Sequence, residues 1–153
     1  KGNLIDLAEL GRFDIIVQGC NCFHTMGAGL AKEISTRYPN VLAADMELTR
    51  KGDKGKLGGY TYTLATSPSG HNFTIINAYT QYHYGRPKNG YPILADYEAI
   101  DKVFRKLAAD TRHLNPKIGY PRIGAGLAGG DWNTIEFIIN KALTGFSHEL
   151  VVL

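Results

Sequence analysis

Two stretches of the chain repeat one arrangement, and any fold must place both. The apolar run at residues 13–17 leads into Gly19-Cys20-Asn21-Cys22-Phe23-His24-Thr25-Met26-Gly27-Ala28-Gly29, and a helix-like run at 30–38 leads out. Near the other end, residues 118–123 lead into Gly124-Ala125-Gly126-Leu127-Ala128-Gly129-Gly130, and Asp131 opens a second helical run. Each stretch reads as strand, glycine-bearing loop, helix. Backbone N–H groups at a helix N-terminus point outward and carry partial positive charge. Glycine lets that backbone approach a ligand closely. Two such loops at equivalent strand ends point to one phosphate-bearing ligand held between them.

The segments between them supply the rest of an α/β domain. Leu4, Leu7 and Leu10 form a short helical turn that Gly11 ends. Residues 13–18 read as a buried strand through Ile15-Ile16-Val17. Leu30, Ala31, Ile34 and Tyr38 recur at helical spacing until Pro39. Asn40 is the expected cap of the next helix, with Leu42, Met46 and Leu48 inside it and Gly52 closing it. Residues 60–66 and 73–79 are β-branched and aromatic strands joined by Ser67-Pro68-Ser69-Gly70, so they form a hairpin. Residues 82–92 are an irregular aromatic loop, and 96–113 make the clearest amphipathic helix. The final helix carries Trp132, Ile135, Ile139, Ala142 and Leu143, and residues 149–153 are a last strand. Alternating strands and helices with one hairpin give a mixed sheet between helices. Ligands of such sheets bind beyond the C-terminal strand ends.

With 153 residues the chain is read as one domain, 1–153. It starts at Lys1 rather than Met, as a fragment would. The net charge of +3 is spread out apart from residues 50–56, which is weak support for a nucleic-acid surface. No run resembles a signal peptide or a membrane span. Two cysteines, Cys20 and Cys22, make no disulfide scaffold, and a reducing cytoplasm is the expected location.

Each candidate residue has a structural reading beside its chemical one. The Asn21 amide can handle sugar hydroxyls or shape an Asx-turn. His24 is the one histidine in either glycine loop, an acid or base near neutral pH or an exposed loop imidazole. Asp131 is an N-cap, and its carboxylate could also orient water. Cys-x-Cys with one nearby His is a poor zinc pattern, so no metal or cofactor is expected. Gly124-x-Gly126-x-x-Gly129 fits the dinucleotide fingerprint, but only one helix and one strand follow it.

In order, these motifs resemble a macrodomain, the α/β module that binds ADP-ribose. Lys1-Gly2-Asn3-Leu4 resembles the segment before the adenine site. Gly19-Cys20-Asn21-Cys22 and Met26-Gly27-Ala28-Gly29-Leu30-Ala31 resemble the first ligand loop, and Arg37-Tyr38-Pro39 follows as in several members. Pro121-Arg122-Ile123-Gly124-Ala125-Gly126-Leu127 and Gly130-Asp131-Trp132 resemble the second loop and its helix. The resemblance covers nearly the whole chain. It is nearest to the branch of ADP-ribose 1″-phosphate phosphatases and terminal ADP-ribose glycohydrolases, including antitoxins that strip ADP-ribose from DNA. It implies a three-layer α/β/α sandwich with a mixed central sheet. It further implies adenine near Asn3 and Leu4, and distal ribose near Asn21 and the stretch Gly27, Ala28 and Gly29. The pyrophosphate would lie on Gly124, Ala125, Gly126 and Leu127, with Cys20, Met26, Leu30, Arg122 and Ile123 as further ligand-binding residues.

Two departures stand out. The glycohydrolases carry a lysine just after the strand equivalent to residues 73–79, where this chain has Gln81, with Lys88 further along the loop. Glutamine cannot form a Schiff base with ribose C1″. The edge strand that usually precedes Lys-Gly is also missing from the sequence. The first function expected is hydrolysis of ADP-ribose 1″-phosphate, with Asn21 orienting ribose and His24 and Asp131 managing protons and water. The alternatives are a non-catalytic ADP-ribose reader, and a hydrolase acting on ADP-ribosylated protein or nucleic acid without the lysine.

Overall fold

The computed structural model describes residues 1–47, 49–84, 93–126 and 128–153. Five strands, β1 (Ile15–Cys20), β2 (Tyr60–Thr66), β3 (Asn72–Tyr79), β4 (Lys117–Tyr120) and β5 (Ser147–Leu150), form one sheet in the order β2-β3-β1-β4-β5. The hairpin β2–β3 is antiparallel, and β1 runs parallel to both β3 and β4, as β5 does to β4. Helices α1 (Leu4–Glu9), α2 (Gly29–Arg37) and α3 (Asn40–Met46) precede the hairpin; α4 (Tyr97–Thr111) and α5 (Trp132–Ala142) follow it. None of the described helices is long and apolar enough to cross a membrane.

The central strands are apolar on both faces, so each face needs a helical layer. Ile15, Val17, Ile76 and Ile118 pack with Phe104 and Leu107 of α4 and with Ile135 and Ile139 of α5. Ile16, Ile75 and Tyr79 pack on the other side with Ile5 of α1, Ile34 of α2 and Val41 of α3. The expected three-layer α/β/α sandwich with a mixed sheet is the fold observed.

Several boundaries differ from the sequence reading. β1 starts two residues late, because the Asp14 carboxylate accepts from the Lys117 amide at 2.8 Å and Phe13 packs under Gly119. It then runs through Gly19 to Cys20, because β3 continues beside it with Tyr79 opposite Cys20. β4 stops at Tyr120, just before Pro121, rather than at Ile123. β5 lies at Ser147–Leu150 instead of 149–153, paired residue for residue with Lys117–Tyr120. Asn40 does not cap α3: it is the first helical residue, Pro39 stands at the cap, and the helix ends at Met46, well before Gly52. Leu48 and most of the aromatic loop, residues 85–92, lie outside the described residues.

A cluster of polar side chains is built into this interior. The Lys56 ammonium sits 2.6 Å from the Asp45 carboxylate, with the side chains 3% and 1% exposed. The ammonium also lies 4.3 Å from the centre of the Tyr79 ring, whose hydroxyl donates to the same Asp45 oxygen at 2.6 Å. Burial first, then this hydrogen bond, pushes the Tyr79 phenol well above its usual range.

Candidate functional site

The two glycine loops leave the C-terminal ends of β1 and β4, which are neighbours in the sheet. They meet around a cavity of about 580 Å³ at that end. The first loop lines it with Cys20, Asn21, Thr25, Met26, Gly27, Ala28, Gly29, Leu30 and Ala31, the second with Pro121, Arg122, Ile123, Gly124, Gly126 and Ala128. Gln18 and Gly19 add the strand end, and Gln81 and Tyr84 add the segment after β3. The site is therefore the switch point at which the parallel strands diverge into helices on opposite faces.

Local bonding shows which amides stay free for a ligand. Ala28 stands at the N-cap of α2 and offers no side-chain acceptor, and among the described residues the first amides of this helix donate to no backbone acceptor. Gly29 opens the helix at φ +55°, which only glycine adopts easily. The α5 end is closed instead. Asp131 caps it, accepting from the Thr134 amide at 3.1 Å and the Thr134 hydroxyl at 2.7 Å. Those bonds, the hydroxyl first, hold the Asp131 carboxyl below its usual range. In the second loop, Ile123, Ala125, Gly129 and Gly130 donate to Pro121, Arg122, Gly126 and Gly124. Among the described residues, the Gly124 and Gly126 amides donate to no backbone acceptor and both residues line the cavity. Of the two helix ends expected to face a ligand, one borders the cavity. At the other, the loop's own amides take that place.

The structure gathers most of the expected binding residues and leaves others outside. Asn21 lines the cavity with its amide engaged inside the loop. Its Oδ1 accepts from the Phe23 amide at 2.8 Å, and its Nδ2 donates to the Thr25 hydroxyl at 2.7 Å. The Asx-turn is thus formed, and the donor can exchange Thr25 for a ligand. His24 is not among the lining residues. Its backbone has φ +58°, and its Nε2 lies 2.9 Å from the Thr49 hydroxyl. That hydroxyl donates to the Asp45 carbonyl, so the Nε2 of His24 carries the proton and donates to Thr49. Asp131 and Ala125 do not line the cavity either. Asn3 caps α1, accepting from the Ile5 and Asp6 amides and donating to Glu33, and Leu4 is buried in the core. Neither lines the cavity, and Leu127 lies outside the described residues.

The lining chemistry is mostly neutral. Arg122 is the one arginine, lysine, aspartate or glutamate in the lining among the described residues. Burial, ahead of the nearby Asp45 charge, pushes the Cys20 thiol far up, so it stays protonated; Cys22 is raised to about 11 by the same cause. Gln81 occupies the place expected for a lysine, lines the cavity, and donates to the His83 carbonyl at 2.8 Å. Sequence reading did not count Gln18, Gly19, Thr25, Ala31, Gln81, Tyr84, Pro121 and Ala128 among the binding residues. For Gln18 the signal was there: a polar side chain inside an otherwise apolar strand.

No family model matches the chain. A 17.5 kDa protein of the tk-vs intergenic region of Enterobacteria phage T4 is 36% identical over 140 residues, covering 92% of this chain and 85% of that protein. The macrodomain of Mycobacterium tuberculosis DarG superposes with a TM-score of 0.72 at 24% identity, over 91% of this chain and 88% of that one. The chain is of one family with the phage T4 protein, and its fold is that of the macrodomains. It is also 25% identical to the ADP-ribose 1″-phosphate phosphatase of Saccharomyces cerevisiae, over 92% of this chain and 89% of that protein. It is 26% identical to the DNA ADP-ribosyl glycohydrolase of Mycobacterium bovis over 80% of the chain, but spans only 33% of that protein. Thermosipho africanus DarTG, solved in complex with ADP-ribose, shares the macrodomain fold with a TM-score of 0.70 at 17% identity, over 91% of this chain and 38% of that one.

Proposed function

We propose that the cavity binds ADP-ribose and that the protein hydrolyses ADP-ribose 1″-phosphate to ADP-ribose and phosphate. The observation that carries this reading is the pairing of free amides across one cavity: those of Gly124 and Gly126 on one side, and the uncapped start of α2 on the other. One set suits the diphosphate, the other a terminal phosphate. Phosphoryl transfer asks mainly for positioning and charge stabilisation, which such amides and Arg122 supply. Water adds across the P–O bond: its oxygen stays on phosphorus, and the 1″ oxygen leaves carrying a proton. The relative with this activity is matched over nearly the whole of both chains. The lysine-dependent glycohydrolase route does not suit Gln81.

The geometry changes the parts assigned to individual residues. Asn21 keeps its role at the sugar, since it lines the cavity with a donor held only by Thr25. His24 is engaged at Thr49 and Asp131 at Thr134, so they shape the two loops rather than carry protons. Asn21→Ala is expected to weaken ADP-ribose binding about tenfold, the value of one hydrogen bond, with the fold retained. Unchanged affinity and turnover would remove Asn21 from the site. Phosphate release is expected to survive His24→Ala and Asp131→Ala. Its loss at unchanged ADP-ribose affinity would restore them as proton carriers.

A reader of ADP-ribose is the second reading. It is favoured by one observation: among the described residues, the cavity lining holds no carboxylate, imidazole or ammonium group. Calorimetric titration with ADP-ribose, with ADP and AMP as controls, followed by a phosphate-release assay on ADP-ribose 1″-phosphate, separates the two. Selective binding with release supports the phosphatase, and selective binding without release supports the reader. No binding of ADP-ribose would overturn both.

A further inference from the structure

Gln18 is 2% exposed, at the end of β1, and lines the cavity. Its amide nitrogen donates to the Asn77 Oδ1 at 2.8 Å, across the β1–β3 pair. Its amide oxygen is buried and, among the described residues, has no hydrogen-bond partner. An unpaired buried acceptor is costly, and such groups cluster where a ligand completes them. Among the described residues one other buried side-chain atom shares this state, the Thr80 hydroxyl oxygen, whose residue does not line the cavity.

The orientation of the Gln18 amide follows from its neighbours. The Val41 carbonyl can only accept, and the Asn77 Nδ2 donates to it at 3.0 Å. The other proton of that Nδ2 goes to the Thr61 hydroxyl, also at 3.0 Å. Thr61 in turn lies 2.8 Å from the Tyr79 hydroxyl, which gives its own proton to Asp45. Every donor along this line therefore points towards the buried Asp45 carboxylate. The Asn77 Oδ1 is left as an acceptor, Gln18 must meet it with nitrogen, and the Gln18 oxygen is left facing a missing donor.

We propose that Gln18 is a specificity-determining residue of the cavity, its amide oxygen accepting a hydrogen bond from a hydroxyl of the ligand's terminal sugar. This rests on the ADP-ribose reading of the site. A hydroxyl is the matching chemistry: a phosphate oxygen at this pH has no proton to donate, and a cation would meet no negative partner there. The Met26 thioether, 3.9 Å from the Gln18 nitrogen and also lining the cavity, is the neighbour that moves aside as the sugar enters. An unbranched thioether side chain makes that movement easily.

The test compares ADP-ribose with ADP, which lacks the terminal sugar, on the wild-type protein and on Gln18→Met. ADP-ribose affinity is expected to fall about tenfold in the variant, with ADP affinity unchanged. An equal loss for both ligands, or no loss for either, overturns the assignment. A wild-type protein that binds neither ligand overturns the ADP-ribose reading, and this inference with it. Because Gln18→Met also strips Asn77 of a donor, a second measurement uses the unaltered protein. The side-chain amide resonances of Gln18 are expected to shift in NMR spectra on addition of ADP-ribose and not of ADP. Resonances that ignore ADP-ribose, or answer both ligands alike, overturn the proposal even if the variant fails to fold.

Discussion

Gly126→Val is expected to abolish ADP-ribose binding while leaving the protein as stable as before. Gly126 lines the cavity, and a Cβ built on it meets nothing within 4 Å. Its backbone lies outside the left-handed region, so valine adds no strain there. The new side chain can only occupy the space proposed for the diphosphate, and it blocks approach to the amides. A loss of at least about a hundredfold in affinity is expected, read by calorimetry beside an unchanged thermal unfolding curve. Gly124 is the contrasting control. It has φ +74°, and a Cβ there lies 3.2 Å from side-chain atoms of Ala95 and Ile135. Gly124→Val should therefore lose stability as well as binding. If Gly126→Val binds ADP-ribose normally, the second loop does not hold the diphosphate.

Lys56→Ala carries the largest expected loss of stability. The ammonium is paired with Asp45 in the interior, and removing it leaves a buried carboxylate with one phenol donor in place of a charge partner. Breaking such pairs costs about 3–5 kcal/mol, which urea unfolding would read directly. Replacing both partners, as in Asp45→Leu with Lys56→Met, is expected to cost less than the single change, because no charge is then left unpaired. A single-variant cost under about 1 kcal/mol, the range of exposed pairs, would mean that water reaches this pair in solution.

Local chemistry made the hairpin readable from sequence. Residues 60–66 are β-branched or aromatic at five of seven positions, and β2 was read at its observed bounds. The ends of β1 and β5 were misplaced because partners distant in sequence set them. Gly19 and Cys20 are poor strand residues taken up by pairing with β3, and Ser147 and His148 are polar residues taken up by pairing with β4. At the site, glycine spacing revealed the cavity because the backbone itself is the binding surface. What the side chains do there was less legible. Asn21 satisfies both of its readings in one turn, whereas His24 is drawn to Thr49, a partner 25 residues away that no local pattern announces. The unpaired oxygen of Gln18 arises from a line of donors ending at Asp45, which exists only once β1, β2, β3 and α3 have met.

The placing of β1 at the centre of the sheet has a consequence for the time course of folding. The β2–β3 hairpin joins neighbours in sequence and can form alone, but Ile15 pairs with Thr74 on one side and Ile118 on the other. Closing those long loops is entropically costly and slow. A chain emerging from the ribosome therefore holds its first glycine loop long before the strand that carries the second has been made. Ligand capture should be absent from nascent chains that end before β4, and should appear only once the last helix can dock.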